Sequence, residues 1–389
     1  MSSATTLHER LSARAHDALR RGDLVGALSL IAEAEAGGAT GVDLKVQKAV
    51  VRRAAGDLAG AVEALDEALA IDPYDYFALL SKGALVEKLS GERAAAQIYR
   101  NALKIAPAPP AMPPQLGPPT ARARAVVART ADALEAYLRE RLAGVAVEVS
   151  LPGRRRFEES LSIFSGRTQA YTQEPLLLHY PGLPAIPFHD RAEFPWLPVL
   201  EAATATIQAE LQTALAEAAD GFVPYIAYPP GAPVNQWGEL NHSRRWSSLF
   251  LWKDGVKQDA ACAVCPDTAA LLESLPMAAQ PGFAPTAVFS ALDARTHIPP
   301  HTGSTNARLL VHLPLILPGP ARFRVGNETR TWKMGEAWVF DDTIEHEAWN
   351  DADALRVILI FDIWNPCLDA GERQLITAMM HARNEFFSD

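Results

Sequence analysis

The sequence predicts an α+β protein in which N-terminal helical repeats are followed by a sheet-rich barrel or jelly roll. Three observations lead to this class. A six-residue motif recurs at an offset of 34, a run of prolines follows the repeats, and short alternating apolar runs begin near Tyr225. The 389 residues are enough for two or three domains, and a hydrophobic content of 49% is enough for sizeable cores.

The repeat lies in the first 107 residues. Residues 22–27 (GDLVGA) recur as residues 56–61 (GDLAGA), and the same offset of 34 relates Pro73 to Pro107. A period of 34 residues, with small residues at helix crossings and a proline after the second helix, is typical of tetratricopeptide repeats. We therefore expect paired antiparallel helices over residues 1–107, which either dock a peptide or brace the neighbouring domain.

A proline-rich segment follows the repeats. Residues 106–119 contain seven prolines, which are excluded from helix interiors and favour extended chain. The sequence therefore predicts a linker and domain boundary at residues 108–120. Helical periodicity returns at 121–143 and again at 197–219. We expect residues 121–220 to form a helical and mixed region that packs on the core of the next domain.

Sheet patterns dominate from residue 221 to residue 389. The runs TAVFSALD, ARLLVHLPLIL, EAWVFDD and LRVILIFDIW either alternate apolar and polar residues or are continuously apolar. Pro, Gly, Asn and Asp separate these runs, as expected for turns between strands. Such a series of short strands predicts a barrel or jelly roll over residues 221–389.

Composition limits the classes of partner. A formal net charge of -10 leaves no excess of cations to neutralise phosphates, so nucleic acid is not an expected partner. No apolar run approaches the roughly 18 to 20 residues of a membrane span, and the N-terminal residues lack the apolar core of a signal peptide. The sequence therefore predicts a cytoplasmic protein without membrane contact.

The three cysteines are Cys262, Cys265 and Cys367. So small a number fits a reducing compartment better than a disulfide framework. Cys262 and Cys265 form a single CxxC, with no second pair to complete a four-cysteine zinc site. We interpret this pair as structural, with redox and metal roles as the alternatives.

Two apolar runs carry embedded charges. Alternation in ARLLVHLPLIL places Arg308, Leu310 and His312 on one face, which is either pocket or solvent. LRVILIFDIW carries Arg356 and Asp362 on one face of a nearly continuous apolar strand. A buried guanidinium left without an anion or other acceptors is strongly destabilising. Arg356 therefore predicts an anionic partner, which is Asp362, another side chain or the carboxylate of a ligand.

Two histidines, His301 and His346, have a spacing that suits a metal site. His297 and His301 are four residues apart, but Pro299 and Pro300 exclude the helix that a zinc pair of this spacing requires. A loop HxG followed 45 residues later by a histidine near a strand end is what a jelly-roll metal site needs. Spacing alone leaves a chance pair as the alternative, because the chain contains ten histidines.

The segments HTGSTNARLLVHLPLILP, GNETRTW, FDDTIEHEAW and LRVILIFDIWNP closely resemble, in order and spacing, the catalytic core of aspartyl/asparaginyl β-hydroxylases. The resemblance covers roughly residues 225–370, and the tetratricopeptide-like region is similar to that of the family's animal members. It implies a double-stranded β-helix, a form of jelly roll. It further implies bound Fe(II), with 2-oxoglutarate and O2 as cosubstrates for the hydroxylation of an unactivated carbon.

The resemblance also implies roles for single residues. His301 and His346 match the two iron ligands. Gly303 stands where most 2-oxoglutarate oxygenases carry the carboxylate of the 2-His-1-carboxylate triad, a ligand that this family lacks. Arg356 matches the arginine that binds the distal carboxylate of 2-oxoglutarate, and Ser290 matches its hydroxyl partner.

The remaining matches concern the metal-chelating end of the cosubstrate and the substrate. His312 resembles the residue near that end, and Arg308 resembles an arginine that faces the acidic side chain of the substrate. Leu310 departs from the family pattern, because better-known members carry an arginine there. A second substrate-binding arginine is also missing upstream, where Arg244 and Arg245 are close enough to substitute for it.

These residues predict a β-hydroxylase with His301, His346 and Arg356 at its catalytic centre. Its expected substrate is an Asp or Asn residue of a peptide or protein, docked in one hypothesis by the helical repeats, or else a free or carrier-bound small acid. A lipid is less expected, because the family members that act on lipid are membrane-bound. The competing hypothesis is a tetratricopeptide adaptor with a degenerate, non-catalytic jelly roll, and the presence of both histidines with Arg356 argues against it.

Overall fold

Pairs of antiparallel helices fill the N-terminal part of the chain. In the computed structural model, which describes residues 2–145 and 147–388, the second helix of successive pairs begins at Leu24, Leu58 and Glu92. These starts are 34 residues apart, so the sequence period is the period of the helix pairs. The six helices are α1 (Ser2–Arg20), α2 (Leu24–Ala36), α3 (Val42–Ala54), α4 (Leu58–Ile71), α5 (Tyr76–Ser90) and α6 (Glu92–Lys104).

The recurring GDL motif is a helix start. The carboxylate of Asp23 accepts a hydrogen bond from the backbone N–H of Gly26 at 2.8 Å, and Asp57 accepts one from Gly60 at the same distance. Such N-caps satisfy an otherwise unpaired backbone donor and stabilise a helix by about 1 kcal/mol. The predicted tetratricopeptide-like helix pairs are therefore confirmed. The recurring motif starts the second helix of the first two pairs.

The proline-rich segment forms less extended chain than the sequence predicts. Short 3-10 turns occupy Pro109–Ala111 and Pro114–Leu116, and a further helix, α7 (Gly117–Leu142), begins directly after them. Pro118 and Pro119 lie in the first turn of α7. Backbone N–H groups in the first turn make no intrahelical hydrogen bond, so proline costs nothing there. The prolines at 118 and 119 thus start a helix instead of keeping the chain extended.

The domain boundary predicted at residues 108–120 is wrong. Helix α7 packs on the third helix pair, and the hydroxyl oxygens of Tyr76 and Thr120 lie 2.6 Å apart. Helix α8 (Leu151–Ser165) follows α7 within the same unit, and the chain divides into Met1–Gln169 and Ala170–Asp389. The part of the predicted core-packing region that precedes residue 170 therefore belongs with the repeats.

Two antiparallel sheets form the second unit. All pairs of neighbouring strands run antiparallel, which agrees with the short, turn-separated strands expected from the sequence. The strands are β1 (Val223–Pro224), β2 (Trp246–Lys253), β3 (Val256–Lys257), β4 (Ala287–Leu292), β5 (Thr296–His301), β6 (Arg308–Ile316), β7 (Ala321–Val325), β8 (Glu328–Thr331), β9 (Trp338–Phe340), β10 (His346–Asn350) and β11 (Arg356–Trp364).

The larger sheet has the strand order β1-β2-β4-β11-β6-β9, with β3 beside β2, and the smaller sheet has the order β5-β10-β7-β8. One hydrophobic core joins the two sheets, with Leu292 and Ile358 from the larger sheet and Phe323 and Ala348 from the smaller. Two facing antiparallel sheets around a shared core are compatible with a double-stranded β-helix. The predicted α+β class is confirmed.

Helices cover the other face of the larger sheet. Strict alternation along β6 and β11 sends Leu309, Val311, Leu359 and Phe361 to this outer face, where they form a core with four of the helices. None of the helices in the described residues has both the length and the apolar character needed to cross a bilayer. The helices of this unit are α9 (Leu197–Ala202), α10 (Thr204–Glu217), α11 (Asp259–Val264), α12 (Pro266–Ser274) and, at the C-terminal end, α13 (Ala370–Ser388).

The CxxC pair lies in this helix-covered core. The thiol of Cys262 donates to the carbonyl oxygen of Leu251 at 3.4 Å. Burial raises the pKa of the Cys265 thiol to about 12 and also raises the pKa of Cys262. Buried, protonated thiols are poor nucleophiles and poor metal ligands, so the pair fits the structural interpretation.

Gly83 provides a test of the repeat packing. A Cβ at this position would lie 2.5 Å from the ring of Tyr99, which is 2% exposed and donates its hydroxyl hydrogen to Glu87 at 2.8 Å. We expect Gly83→Val to lower the free energy of unfolding by about 1 to 3 kcal/mol, because the ring has no free space to move into. Urea denaturation followed by circular dichroism measures this change.

Gly238→Val is the matched control, because a Cβ at Gly238 meets no atom within 4 Å, the residue has ordinary helical backbone angles and no proline follows it. A loss of stability as large at Gly238 as at Gly83 would contradict the packing explanation.

Candidate metal and anion site

His301 and His346 face each other between the two sheets. His301 ends β5, His346 begins β10, and the two residues are directly paired in the strand register. Their ring centroids lie 4.1 Å apart. The consecutive prolines Pro299 and Pro300 are part of β5 itself, which fits the prediction that they exclude a helix here. The two predicted metal ligands are thus adjacent, although they are 45 residues apart in sequence.

Hydrogen bonds orient both rings in the same way. The Nδ1–H of His301 donates to the carbonyl oxygen of Pro299 at 2.8 Å, and the Nδ1–H of His346 donates to that of Ile344 at 3.1 Å. A carbonyl oxygen can only accept, so each neutral ring carries its proton on Nδ1 and keeps the Nε2 lone pair free. This is the tautomer in which a histidine binds a metal ion through Nε2.

Burial keeps both rings neutral. It lowers the pKa of His301 to about 4, and it lowers the pKa of His346 well below its ordinary value, with the neighbouring His301 adding to the effect. Metal ions bind the neutral imidazole, so no proton has to be displaced near neutral pH. Among residues 2–145 and 147–388, no group of three or more His, Cys, Asp or Glu side chains is arranged to hold a metal. The two histidines therefore offer two protein ligands.

Asp342 lies beside the position where a third protein ligand would be expected. The backbone N–H of Gly303 donates to the carbonyl oxygen of Asp342 at 2.7 Å, and a Cβ on Gly303 would overlap the carboxylate of Asp342. Burial raises the pKa of Asp342 to about 7, and Arg308 opposes this shift. The missing side chain at Gly303 thus leaves room for a carboxylate that comes from the neighbouring segment.

Arg356 is a fully buried cation that forms no ion pair with the acidic side chains of the described residues. The residue is 1% exposed, and its guanidinium lies over the ring of Trp332 at 4.8 Å. Burial lowers its pKa to about 9, which still leaves it charged at neutral pH. Asp362, the protein partner considered from the sequence, forms an ion pair with Arg308 instead. A buried guanidinium without a paired anion destabilises the fold unless a ligand supplies that anion.

Further buried donors surround Arg356. Within the described residues, no hydrogen-bond partner is found for Nε and Nη1 of Arg356, for Nδ1 of His312, for Nε1 of Trp332 or for the hydroxyl of Ser248. Burial and the charge of Arg356 lower the pKa of His312 well below its ordinary value, so this ring is neutral. Buried polar groups are normally paired. Arg356 Nε and Nη1 and Trp332 Nε1 can only donate, so these unpaired atoms fit an anionic ligand.

Ser290 extends this donor cluster. It is 1% exposed, and its hydroxyl oxygen accepts a hydrogen bond from Nε1 of Trp246 at 3.1 Å. With that lone pair occupied, the Ser290 O–H is free to donate to an anion. Ser248 lies directly opposite Ser290 in the strand register, on the same face of the sheet. Two hydroxyls and one guanidinium thus share the inner face of the larger sheet.

Aromatic side chains enclose the histidine pair. The ring of Trp237 lies 5.0 Å from that of His301, and the rings of Phe323 and Phe340 each lie 5.7 Å from that of His346. These rings are buried and exclude water from one side of the site. A low-polarity surrounding strengthens any charge interaction made inside it.

The three arginines predicted to contact substrate are differently placed. Arg308 is 13% exposed and is paired with Asp362, and its charge opposes the raised pKa of Asp342. Arg244 instead donates to the backbone carbonyls of Ala219 and Phe222, at 3.1 and 3.0 Å. Arg245 approaches Glu239 at 3.9 Å and the carbonyl oxygen of Arg295 at 3.5 Å. The contacts of Arg244 and Arg245 do not include the histidine pair, and their substrate role stays a prediction.

Sequence reasoning missed four residues of the site: Asp342, Trp332, Trp237 and Ser248. Asp342 had a usable signal, because it is the second acid of the DD pair four residues before His346. The two tryptophans and the serine had none, since large aromatic and small polar residues occupy many positions in any core. Their roles follow only from strand register and packing.

Comparisons with known proteins find a matching family. The sequence model of a family described as Aspartyl/Asparaginyl beta-hydroxylase matches residues 201–366. The chain is 41% identical over 148 residues to the aspartyl/asparaginyl beta-hydroxylase of Mus musculus, covering 36% of this chain and 19% of that protein. It is 34% identical over 197 residues to the ornithine lipid ester-linked acyl 2-hydroxylase of Rhizobium tropici, covering 50% and 66%.

The chain therefore spans about a fifth of the mouse relative and just under two thirds of the Rhizobium relative. Among solved structures, the tetratricopeptide domain of Arabidopsis OM64 is similar to 32% of this chain, over 98% of that domain, at 19% identity and a TM-score of 0.28. The helical pairs are accordingly assigned from their own bounds and packing.

Gly303 and Asp342 can be tested together. We expect Gly303→Asp alone to lower the melting temperature, because its Cβ overlaps the carboxylate of Asp342. The double variant Gly303→Asp with Asp342→Gly should recover stability and bind Mn(II) at least tenfold more tightly, since it adds a carboxylate ligand to two imidazoles. Differential scanning fluorimetry and calorimetric titration with Mn(II) measure both effects. If the single variant were as stable as the unchanged protein, the two positions would not compete for space.

Proposed function

We propose that this chain, whose residues 201–366 form a domain of the aspartyl/asparaginyl β-hydroxylase family, is a hydroxylase dependent on Fe(II), 2-oxoglutarate and O2. The observation that carries the proposal is the buried guanidinium of Arg356, which pairs with no acidic side chain in the part of the chain that the structure describes. A carboxylate, such as one end of 2-oxoglutarate, is the type of ligand that suits such a cation. The neutral histidine pair supports a divalent metal in the same space between the sheets.

The donor set fits the proposed iron. His301 and His346 would hold it through Nε2, since their Nδ1 atoms are engaged with backbone carbonyls. When bound, the metal allows O2 and 2-oxoglutarate to convert an unactivated C–H bond to C–OH, with release of succinate and CO2. The part of the protein is to position the reactants and to exclude water.

The remaining residues of the site would position the cosubstrate. Arg356 and the hydroxyl of Ser290 would bind one carboxylate of 2-oxoglutarate, as the resemblance implies. Trp332 lies over the guanidinium and limits the directions in which it can turn. His312 is neutral and is enclosed by the rings of Phe323 and Phe340 at 5.0 and 4.6 Å. It would approach the metal-chelating end of the cosubstrate as a hydrogen-bonding group without charge.

The proposed substrate is less closely defined than the reaction. The mouse relative is named for Asp and Asn β-hydroxylation, which supports the sequence-based hypothesis of a peptide or protein substrate. The Rhizobium relative is named for hydroxylation of a lipid acyl chain. Both names describe the insertion of oxygen at a saturated carbon. Docking of a peptide by the helical repeats remains a part of the first hypothesis.

A non-catalytic adaptor is the second candidate function. It would need neither a pair of facing histidines nor an unpaired buried arginine, and the latter is destabilising without a ligand. The destabilisation caused by the unpaired arginine therefore favours the hydroxylase over the adaptor.

The first test removes one proposed iron ligand. The unchanged protein should consume 2-oxoglutarate slowly with Fe(II) and O2 in the absence of substrate. His346→Ala should abolish this consumption, because only one protein ligand remains. Succinate production measures the turnover, and calorimetric titration with Mn(II) measures metal binding. His381→Ala, on the exposed face of α13, is the control. Turnover and Mn(II) binding equal to those of the control would exclude His346 as a ligand.

The second test concerns Arg356. Arg356→Met keeps much of the volume and removes a buried charge, so the melting temperature should stay the same or rise. Binding of 2-oxoglutarate to the Mn(II)-loaded protein should weaken roughly 30-fold to several-thousand-fold, which corresponds to the about 2 to 5 kcal/mol of a desolvated charge pair. Arg322→Met, on the outer face of the smaller sheet, is the control. A less stable protein with normal 2-oxoglutarate binding would instead assign Arg356 a structural role.

A further inference from the structure

An irregular segment that precedes α9 runs beside the proposed metal ligands. We name residues 170–190 the strap, and they lie outside the residues 201–366 that match the family model. Isolated backbone bridges join the strap to Ile344 and to Thr305. Ile344 precedes the second histidine of the pair by two residues, and Thr305 follows the first by four. The strap therefore lies along the loops next to both proposed ligands.

The histidine pair lies where regular strand pairing ends. His301 is the last residue of β5, His346 is the first residue of β10, and the register between these strands shifts between His346 and Ala348. Such an irregularity disrupts the ladder of hydrogen bonds locally. The β5–β10 ladder alone therefore does not fix the separation of the two rings.

The strap binds both neighbouring loops through its backbone. The N–H of Glu174 donates to the carbonyl oxygen of Thr343 at 2.7 Å, and the N–H of Leu176 donates to that of Gly303 at 2.9 Å. The two donors are two residues apart in the strap, whereas the two acceptors belong to different loops. Two nearby peptide groups of the strap thus hold the loop before His346 and the loop after His301 together.

The side chain of Gln173 makes the same connection. Its Nε2 donates to the carboxylate of Asp341 at 2.6 Å, and its Oε1 accepts from Nδ2 of Asn306 at 3.0 Å. Asp341 and Asn306 are both fully buried. The Asp341 carboxylate also accepts from the backbone N–H and the hydroxyl of Thr343, at 2.9 and 2.6 Å. One amide therefore bridges a buried polar group of each loop.

The orientation of these amides follows from the backbone of the strap. The N–H of Tyr180 donates to Oδ1 of Asn306 at 2.7 Å, and Nδ2 of Asn306 donates to the carbonyl oxygen of Tyr180 at 2.9 Å. The second hydrogen of Nδ2 then faces Gln173, whose Oε1 accepts it while its Nε2 is turned toward Asp341. A glutamine supplies both the acceptor and the donor that these two groups need.

The carboxylate of Asp341 depends on its donors. Burial raises the pKa of this carboxyl, and hydrogen bonds from Thr343 and Gln173 oppose the rise. Loss of the Gln173 donor would leave a buried carboxylate partly unsatisfied, which is more destabilising than loss of a hydrogen bond at the surface. It would therefore disturb the loop that precedes His346.

We infer, as a deepening of the proposed function on which it rests, that Gln173 is a positioning residue for the metal. It holds the loops of His301 and His346 at the separation at which both rings bind one ion. Gln173 acts through Asp341 and Asn306 and does not bind the metal itself. The strap is thus a part of the metal site that lies outside the residues matched by the family model.

Gln173→Leu tests the inference, because it keeps much of the volume and removes both hydrogen bonds. Calorimetric titration with Mn(II) should show roughly tenfold weaker binding than in the unchanged protein, as is usual when a group behind a metal ligand is lost. Tyr180→Phe is the matched control. It removes the hydrogen bond from the strap to Glu372 of α13 at 3.0 Å, leaves the backbone of Tyr180 in place and should not change Mn(II) binding. Binding by Gln173→Leu equal to that by the control would overturn the inference.

Two further readouts separate positioning from a general loss of stability. In the metal-free protein, hydrogen–deuterium exchange of Gln173→Leu should be faster in residues 302–307 and 341–345 and unchanged in α10 and α12. In the protein saturated with Co(II), the visible absorption bands should shift, because they report the geometry of the ligands. Faster exchange throughout the second unit, with an unchanged Co(II) spectrum, would give Gln173 a purely structural role and overturn the inference.

A reciprocal exchange keeps the inference testable if Gln173→Leu fails to fold. Gln173→Glu alone places a second carboxylate against Asp341 and should weaken Mn(II) binding. Adding Asp341→Asn restores the pair, since the new amide can donate to the carboxylate at position 173 and still accept from Thr343. The double variant should therefore recover most of the Mn(II) affinity. A folded double variant that binds Mn(II) no better than Gln173→Glu would contradict the inference.

The unchanged protein separates the two proposals. If it binds no Mn(II), the histidine pair holds no metal, and the proposed function and the inference fail together. If it binds Mn(II) and Gln173→Leu binds it equally well, the proposed function stands and the inference alone is refuted.

Discussion

A buried guanidinium without a protein anion is the constraint around which the second unit is arranged. Arg356 begins β11, a central strand that pairs with both β4 and β6, and Arg356 itself lies in register with Leu292 of β4. Its surroundings consist of donors and aromatic rings, and no carboxylate is paired with it in the described residues. A cation in this setting weakens the fold unless a ligand carboxylate is bound. Stability and ligand binding are therefore linked at one residue.

Each of the two sheets contributes a different part of the site. The smaller sheet brings His301 and His346 together through direct strand pairing, and the larger sheet carries Arg356 and the serines on its inner face. The period of two along each strand separates this inner face from the outer face that packs on helices. A one-residue slip of β11 would exchange Arg356 for Val357 and remove the cation from the site. The apolar packing of the outer face thus fixes the register on which the inner face depends.

The sequence predicted residue types better than residue partners. The period of 34, the histidine spacing and the charged position in an apolar run were all readable, because local pattern determines them. The pairing of Asp362 with Arg308 was not readable, since Arg356 lies on the same face of the same strand and only the β6–β11 register decides between the two arginines. The start of α7 at Gly117, ahead of the helical pattern predicted from residue 121, was also missed, because proline is excluded from helix interiors and favoured in the first turn. Such choices depend on contacts between distant segments.

The hydrogen bonds behind the two histidines have a consequence for how tightly a metal is held. Each ring is anchored by an uncharged carbonyl two residues earlier in its own chain, where many metal sites use a carboxylate that makes the imidazole more basic. Two imidazoles anchored in this way form a weak site on their own. Affinity for the metal would then come largely from a bidentate cosubstrate. By linkage, bound metal and bound cosubstrate would each strengthen the binding of the other to the same degree. The occupied fraction of such a site depends on the product of the metal and 2-oxoglutarate concentrations. A shortage of either one would therefore leave both binding positions empty.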